Sequence, residues 1–186
     1  MNIFCSNSDS HITILDIKYL SRIFTCGYTR AMPNKIILRD VTESDLPILY
    51  EQQLDPEATA MAAFPSRDHD AFMAHWKKIM ADETVILKTI LYNDQVAGSI
   101  VSWEMFGELE VGYWLGKEFW GKGIMTQALA EYISIVKTRP LMAHVARHNV
   151  GSRRVLEKCG FVVVGEDKYT NPAGVEVEEF VLKLEN

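Results

Sequence analysis

Glu118-Phe-Trp-Gly-Lys-Gly-Ile-Met-Thr126 is the stretch from which the fold of this chain is read. It follows an apolar segment, Leu109 to Leu115, that reads as a strand, and precedes a strongly helical run, Ile124 to Thr138. Gly121 and Gly123 therefore sit where a strand becomes a helix. Such a junction presents backbone N–H groups at the positive end of a helix dipole, which suits a phosphate. Glycine also lets the backbone approach a bulky anion with no Cβ in the way. A tight turn uses the same residues, and the pair alone does not separate the two readings.

The bulk properties narrow the setting. At 186 residues, with 48% hydrophobic and 24% charged residues, the chain fits one soluble globular domain with a core of its own. A formal net charge of −6 argues against a general grip on nucleic acid and is compatible with a cationic substrate such as an amine. The three cysteines, Cys5, Cys26 and Cys159, have no metal-ligand spacing and fit a reducing, cytoplasmic setting. His144 and His148 are four apart but flank a predicted strand, so they share no helical face, and no metal site is expected. Asp16, Lys18 and Arg22 interrupt the apolar residues near the N-terminus, so no signal peptide is read there. No apolar run reaches the roughly 20 residues of a membrane span.

Residues 1–31 carry apolar residues with neither helical nor strand period, and Met32-Pro-Asn-Lys leads into a strong strand, Ile36 to Leu38. The expectation is an N-terminal extension, residues 1–31, followed by one domain over residues 32–186. After the first strand, Thr42 or Ser44 caps a helix with Pro47 in its first turn. Asp55 to Arg67 reads as loop, and a second helix runs from about Asp68 to Met80. Thr84 to Tyr92 and Gln95 to Glu104 read as a hairpin turning at Asn93-Asp94. Beyond the glycine loop and its helix, Leu141 to Arg147 is a strand, and Asn149 caps a short helix that Gly160 stops. Phe161 to Val164 and Val175 to Leu184 close the chain as strands. The predicted order is β-α-α-β-β-β-α-β-α-β-β, a mixed α/β layer on one sheet.

These segments resemble the GNAT superfamily of acyl-CoA N-acetyltransferases, and most nearly its ribosomal-protein N-terminal acetyltransferase (RimJ/RimL-like) branch. The resemblance rests on Val111-Gly-Tyr-Trp-Leu115 leading into Trp120-Gly-Lys-Gly123, and on Asn149-Val-Gly-Ser152 running into Val155-Leu-Glu-Lys-Cys-Gly-Phe161. Leu38-Arg-Asp with Thr42 to Asp45 matches the family's opening. One position departs: the superfamily's loop pattern, Gln/Arg-x-x-Gly-x-Gly/Ala, meets Glu118 where Gln or Arg is usual.

The resemblance implies a GNAT-like mixed central sheet flanked by helices, acetyl-CoA as co-substrate and no metal. It implies that the strand from Leu109 splays from its neighbour and that the pantetheine arm lies in the gap, paired with backbone near Tyr113, Trp114 and Leu115. Trp120, Gly121, Lys122, Gly123, Ile124, Met125 and Thr126 would then take the pyrophosphate, with Lys122 either adding a charge or facing solvent. Asn149 and Ser152, three apart, project from one helical turn; Ser152 is expected to protonate the leaving thiolate with help from Asn149, although the same pair also reads as a reciprocal helix cap. Glu110 is the expected base and Glu108 the alternative, both on one strand face by alternation. Among the aromatics that could line the acceptor pocket, Phe64, Trp103 and Phe106 stand beside Trp76, which fits a core stripe better.

An α-amino group near pKa ~8 is about one-tenth neutral at pH 7, whereas a lysine amine near ~10.4 is neutral about once in 2,500. A site with one modest base suits the former. The expected activity is thus acetyl transfer to a primary amine, with a protein N-terminal α-amino group as acceptor. A small amine (amino acid, polyamine or antibiotic) is the alternative acceptor, and a non-catalytic acyl-CoA-binding sensor the alternative class. The expected state is monomer or homodimer, with neither nucleic-acid nor membrane partners.

Overall fold

The computed structural model describes residues 35–186; the expected extension over residues 1–31 lies outside them. The elements are β1 (Ile36–Asp40), α1 (Leu46–Leu54), α2 (Pro56–Ala62), α3 (His69–Met80), β2 (Ile86–Tyr92), β3 (Gln95–Met105), β4 (Glu108–Leu115), α4 (Ile124–Ile135), β5 (Leu141–Ala146), α5 (Val150–Lys158), β6 (Val162–Thr170) and β7 (Glu176–Leu184). Short 3₁₀ turns, Glu43–Asp45 and Lys117–Phe119, precede α1 and the glycine loop. No helix of the described residues is long and apolar enough to cross a membrane.

The strands form one seven-stranded sheet in the order β1-β2-β3-β4-β5-β7-β6. Every pairing is antiparallel except β4 with β5. That parallel pair is short: only Leu109 with Leu141 and Glu110 with Met142 lie in register. Beyond Glu110 the two strands part, and the rest of β4 stays paired with β3 through Leu115.

Alternation along the strands sends two sets of apolar side chains to opposite faces. On one face α4 and α5 bring Ile124, Leu129, Tyr132 and Leu156 against Ile90, Ile100, Leu141 and Leu182. Tyr132 is fully buried because its hydroxyl donates to the Ile86 carbonyl at 2.6 Å and bonds Ser102 Oγ at 2.9 Å. On the other face Leu46, Leu49, Phe72 and Trp76 pack with Leu87 and Val96. Trp76 is thus a core residue, as its helical spacing indicates.

Three expectations need correction. Asp55 to Arg67 is not all loop, because Asp55 accepts from the Glu57 and Ala58 N–H groups and Pro56 occupies the first turn, so α2 forms. β6 runs on to Thr170, well past Val164: its polar second half is held by register with β7 rather than by burial. Phe106 lines no pocket; it is 98% exposed at the β3–β4 turn, with φ of 54°.

The start of α1 is fastened to the sheet by Asp45, which is 2% exposed. Its carboxylate takes two bonds of 2.6 Å from the Arg39 guanidinium, the Thr42 N–H at 2.9 Å and the Thr89 hydroxyl at 2.8 Å. Burial by itself raises its pKa, but these donors, Arg39 first, outweigh it and bring the value down to about 2. A folded pKa below the unfolded one means that the stabilisation is complete above pH ~4 and is lost as pH falls through about 2. Asp45→Asn is expected to lower the unfolding free energy by about 2 kcal/mol at pH 7. In urea titrations at several pH values, the gap to wild type should close as pH approaches 2.

Candidate active site

Where β4 and β5 part, a cavity of about 400 Å³ opens between the end of β4, the glycine loop, the start of α4 and one face of α5. Tyr113, Trp114 and Leu115 line it from β4, and Trp120, Gly121, Gly123, Ile124, Met125 and Thr126 line it from the loop and the first turn of α4. Asn149 and Ser152 line it from α5. Lys122 is not among the lining residues, and its Nζ sits 5.6 Å from the centre of the ring of Phe119, which is.

The walls are built from local rules. Gly121 and Gly123 have φ of 73° and 74°, a region where a side chain is strained, and no heavy atom stands within 4 Å of where their Cβ atoms would be. Gly123 is also the N-cap of α4, and no side chain caps that helix. Its first-turn N–H groups are therefore free to meet an anion. Trp120 holds the loop back on the strand, with Nε1 donating to the Leu115 carbonyl at 2.9 Å. Gly98 on β3 lets β4 come close, since a Cβ there would stand 2.1 Å from the Trp114 carbonyl oxygen.

Glu118, the departure from the family pattern, does not line the cavity. Its Oε2 lies 2.9 Å from the Cβ position of Gly116, beside Gln52, so its negative charge is turned toward α1. Positive charge comes instead from Arg154 and Lys158. With Gly151 and Val155 they recur at three- and four-residue spacing along α5, so one face of that helix meets the cavity. That spacing was present in the sequence, and the two basic residues could have been found from it.

Asn149 Oδ1 accepts the Ser152 N–H at 2.9 Å, so Asn149 caps α5, but the cap is not reciprocal: the Asn149 N–H bonds the Ala146 carbonyl instead of the Ser152 hydroxyl. The Ser152 hydroxyl is engaged separately, 2.7 Å from the Tyr113 hydroxyl. Tyr113 OH also lies 3.1 Å from the Ser152 carbonyl. Burial is the main reason the Tyr113 pKa is pushed well above its usual value. The phenol therefore stays protonated and serves as a donor.

Glu110 lies on the sheet face opposite Val111 and Tyr113, as alternation predicts, but it is not an open carboxylate. It is 4% exposed and does not line the cavity. Its Oε1 is 3.6 Å from His144 Nε2, an ion-pair distance rather than a hydrogen bond. His144 Nδ1 meets Glu179 Oε1 at 2.5 Å. Glu110 and Glu179 together push the His144 pKa up to about 10, against the opposing effect of burial. Both ring nitrogens thus carry protons at neutral pH; Nδ1 donates to Glu179, and Nε2 faces Glu110 as an ion pair. Sequence spacing shows no such grouping, yet folding also brings Asp167 into it, with one polar atom each of His144, Asp167 and Glu179 within 4.8 Å of one another.

The end of α2 and the residues that follow it border the cavity. Met61 and Ala62 reach the cavity, and Phe64 stacks under Arg67 at 5.0 Å. The Ala63 carbonyl accepts from Asn171 Nδ2 at 3.0 Å, and His148 Nε2 meets the Ala60 carbonyl at 2.9 Å. The β6–β7 hairpin and the end of β5 therefore hold this segment in place. Trp103 lies apart from it, packed over Gly112.

Residues 35–162 match the family model described as Acetyltransferase (GNAT) domain. Among curated proteins, "Putative ribosomal N-acetyltransferase YdaF" of Bacillus subtilis (strain 168) is 30% identical over 104 residues, 52% of this chain and 57% of that protein. The chain thus spans about half the length of the curated relatives it matches. The spermidine N-acetyltransferase from Vibrio cholerae in complex with CoA and spermine superposes with a TM-score of 0.69 at 17% identity, covering 81% of this chain and 95% of that one. The ribosomal-protein-S5-alanine acetyltransferase from Vibrio fischeri gives 0.67 at 20% identity, covering 81% and 93%. At such identities the two structures show a shared fold. The family match runs from before β1 through the glycine loop and α5, and the chain belongs to the GNAT acetyltransferase family.

Proposed function

We propose that the chain transfers the acetyl group of acetyl-CoA to a primary amine, by direct attack of the amine on the thioester, and that its acceptor is a protein N-terminal α-amino group. The observation that carries this reading is the cavity at the parting of β4 and β5, lined both by the uncapped start of α4 and by the Tyr113–Ser152 hydroxyl pair. The N–H groups from Gly121 to Thr126 fit a pyrophosphate, and Arg154 and Lys158 supply positive charge for it. When bound, acetyl-CoA supplies an acetyl group activated as a thioester.

The backbone of β4 that is free of β5 pairs with the pantetheine arm, and one N–H near Leu115 polarises the thioester carbonyl. Glu110 takes the amine's proton, through water, as the new C–N bond forms. Ser152 places its hydroxyl proton at the departing sulfur as the C–S bond breaks. The Tyr113 hydroxyl, 2.7 Å from Ser152 Oγ, can turn its proton to that oxygen as Ser152 gives up its own. Solvent then takes the proton from Glu110 and restores the one lost from the Tyr113–Ser152 pair, so the proton lost by the amine balances the one gained by the thiol. Asn149, fixed as the cap of α5, sets the position of Ser152.

An α-amino acceptor is supported by its own acidity, since about one-tenth of it is neutral at pH 7 and little base strength is needed. Similarity to a ribosomal N-acetyltransferase of Bacillus subtilis supports the same choice.

An acceptor screen with acetyl-CoA, read by free-thiol release, is expected to show turnover on peptides with free N-termini and little on polyamines or free amino acids. Acetyl-CoA binding without turnover on any amine would instead support a sensor. Ser152→Ala is expected to lower kcat about 100-fold while acetyl-CoA affinity changes by less than about threefold; an unchanged kcat removes Ser152 from the acid role. Gly121→Val, strained at φ of 73°, is expected to weaken acetyl-CoA binding about tenfold or more by calorimetry, and a normal affinity would undo the phosphate assignment.

A further inference from the structure

Four ionisable side chains stand in a row on one face of the sheet, one from each of four adjacent strands. They are Glu110 on β4, His144 on β5, Glu179 on β7 and Asp167 on β6. The order follows from the register, which pairs Asp167 with Glu179 and sets β5 between β4 and β7. We propose that His144 is a positioning residue for proton transfer, a cation clamped between two carboxylates that aims the buried Glu110 and supplies the opposite charge it faces. The inference rests on the assignment of Glu110 as the base.

The geometry sets the argument. Glu110 is 4% exposed; burial disfavours the charged form of a carboxylate, and a neighbouring cation favours it. His144 Nε2, at 3.6 Å, is the cationic group that faces it. His144 in turn needs a reason to stay charged, and the 2.5 Å bond to Glu179 supplies it, with Asp167 adding negative charge at the outer end. The raised His144 pKa agrees with that arrangement. His144 keeps 28% of its side chain exposed while Glu110 is almost covered, so the row opens to solvent at its His144 end.

Other ionisable groups on this face are accounted for by alternation and register. Glu108 and Lys183 lie at the far side of the β4–β5 pairing, where Lys183 pairs with Glu185. Tyr169 on β6 hydrogen-bonds the Ala63 carbonyl. β3 offers Trp103 opposite Glu110, which does not titrate. α2 crosses the end of β5, where its Ala60 carbonyl meets His148. Arg147, Glu166 and Glu178 pair with one another on the opposite face.

The test is the pH dependence of kcat at saturating acetyl-CoA and peptide, measured on the full chain for wild type, His144→Gln, His144→Lys, Glu179→Gln and Glu110→Gln. His144→Gln keeps the polar shape but removes the charge. It is expected to move the acid limb of kcat upward by about one pH unit or more, with acetyl-CoA affinity unchanged within about twofold. His144→Lys restores a cation and is expected to keep the limb within about half a unit of wild type. Glu179→Gln, which weakens the hold on the imidazolium, should shift the limb in the same direction by less, and it carries the test if His144→Gln does not fold. An unmoved limb in His144→Gln, or an equal shift in His144→Lys, overturns the inference even where Glu110→Gln abolishes turnover and the base assignment stands. A Glu110→Gln variant with wild-type kcat removes the base assignment and this inference with it.

Discussion

The constraint on which the molecule depends is the brevity of the β4–β5 pairing. Parallel strands need a long connection between them, and here the glycine loop and α4 supply it. Two registered pairs, Leu109 with Leu141 and Glu110 with Met142, hold the strands together at their starts. Past that point β4 remains bound to β3 and β5 to β7, so each strand is satisfied on its outer edge while the inner edges separate. Backbone groups that a continuous sheet would consume are left facing a cavity. The same parting puts the N-termini of α4 and α5 on opposite sides of that cavity.

Electrostatics divides between the two faces of the sheet. On the α4 and α5 side the charges at the cavity are positive: Arg154, Lys158 and two helix starts. Glu118, which would oppose an anion, is folded away against Gly116 and Gln52. On the other face carboxylates predominate, and His144 is the cation among Glu110, Glu179 and Asp167. Among the described residues, the carboxylate row around His144 thus lies on the face opposite the basic lining of the cavity. A second set of fastenings works by shape. His148 and Asn171 tie down the end of α2 and the residue after it, so this border of the cavity depends on residues from the end of β5 and the β6–β7 turn.

What was legible in the sequence was local. Gly121 and Gly123 could be placed at a strand–helix junction because their neighbours have strand and helix patterns, and both have the positive φ that only glycine adopts easily. Asn149 and Ser152 could be placed on one helical turn because three residues make a turn's spacing, and that is where they meet. Failures followed from the same locality. Pro56 looked like a breaker but starts α2, because its missing N–H costs nothing in a first turn capped by Asp55. The second half of β6 carries no apolar pattern, because an edge strand exposed on both sides needs none, and its partner β7 alone defines it.

The sequence by itself determined the kind of molecule: one mixed α/β layer, a glycine loop between strand and helix, and a capped helix one strand later, which together carry the GNAT family. Each of these depends on neighbours within a few residues, where backbone conformation and side-chain period are set. Tertiary structure alone decided the electrostatics of the site. Glu110 and His144 are 34 positions apart and His144 and Glu179 are 35 apart, and no period links them. They meet because β7 returns to pair with β5, and the sheet order 4-5-7-6 sets their side chains in a row. Long-range pairing buries the expected base, Glu110, beside a cation that no local period reveals.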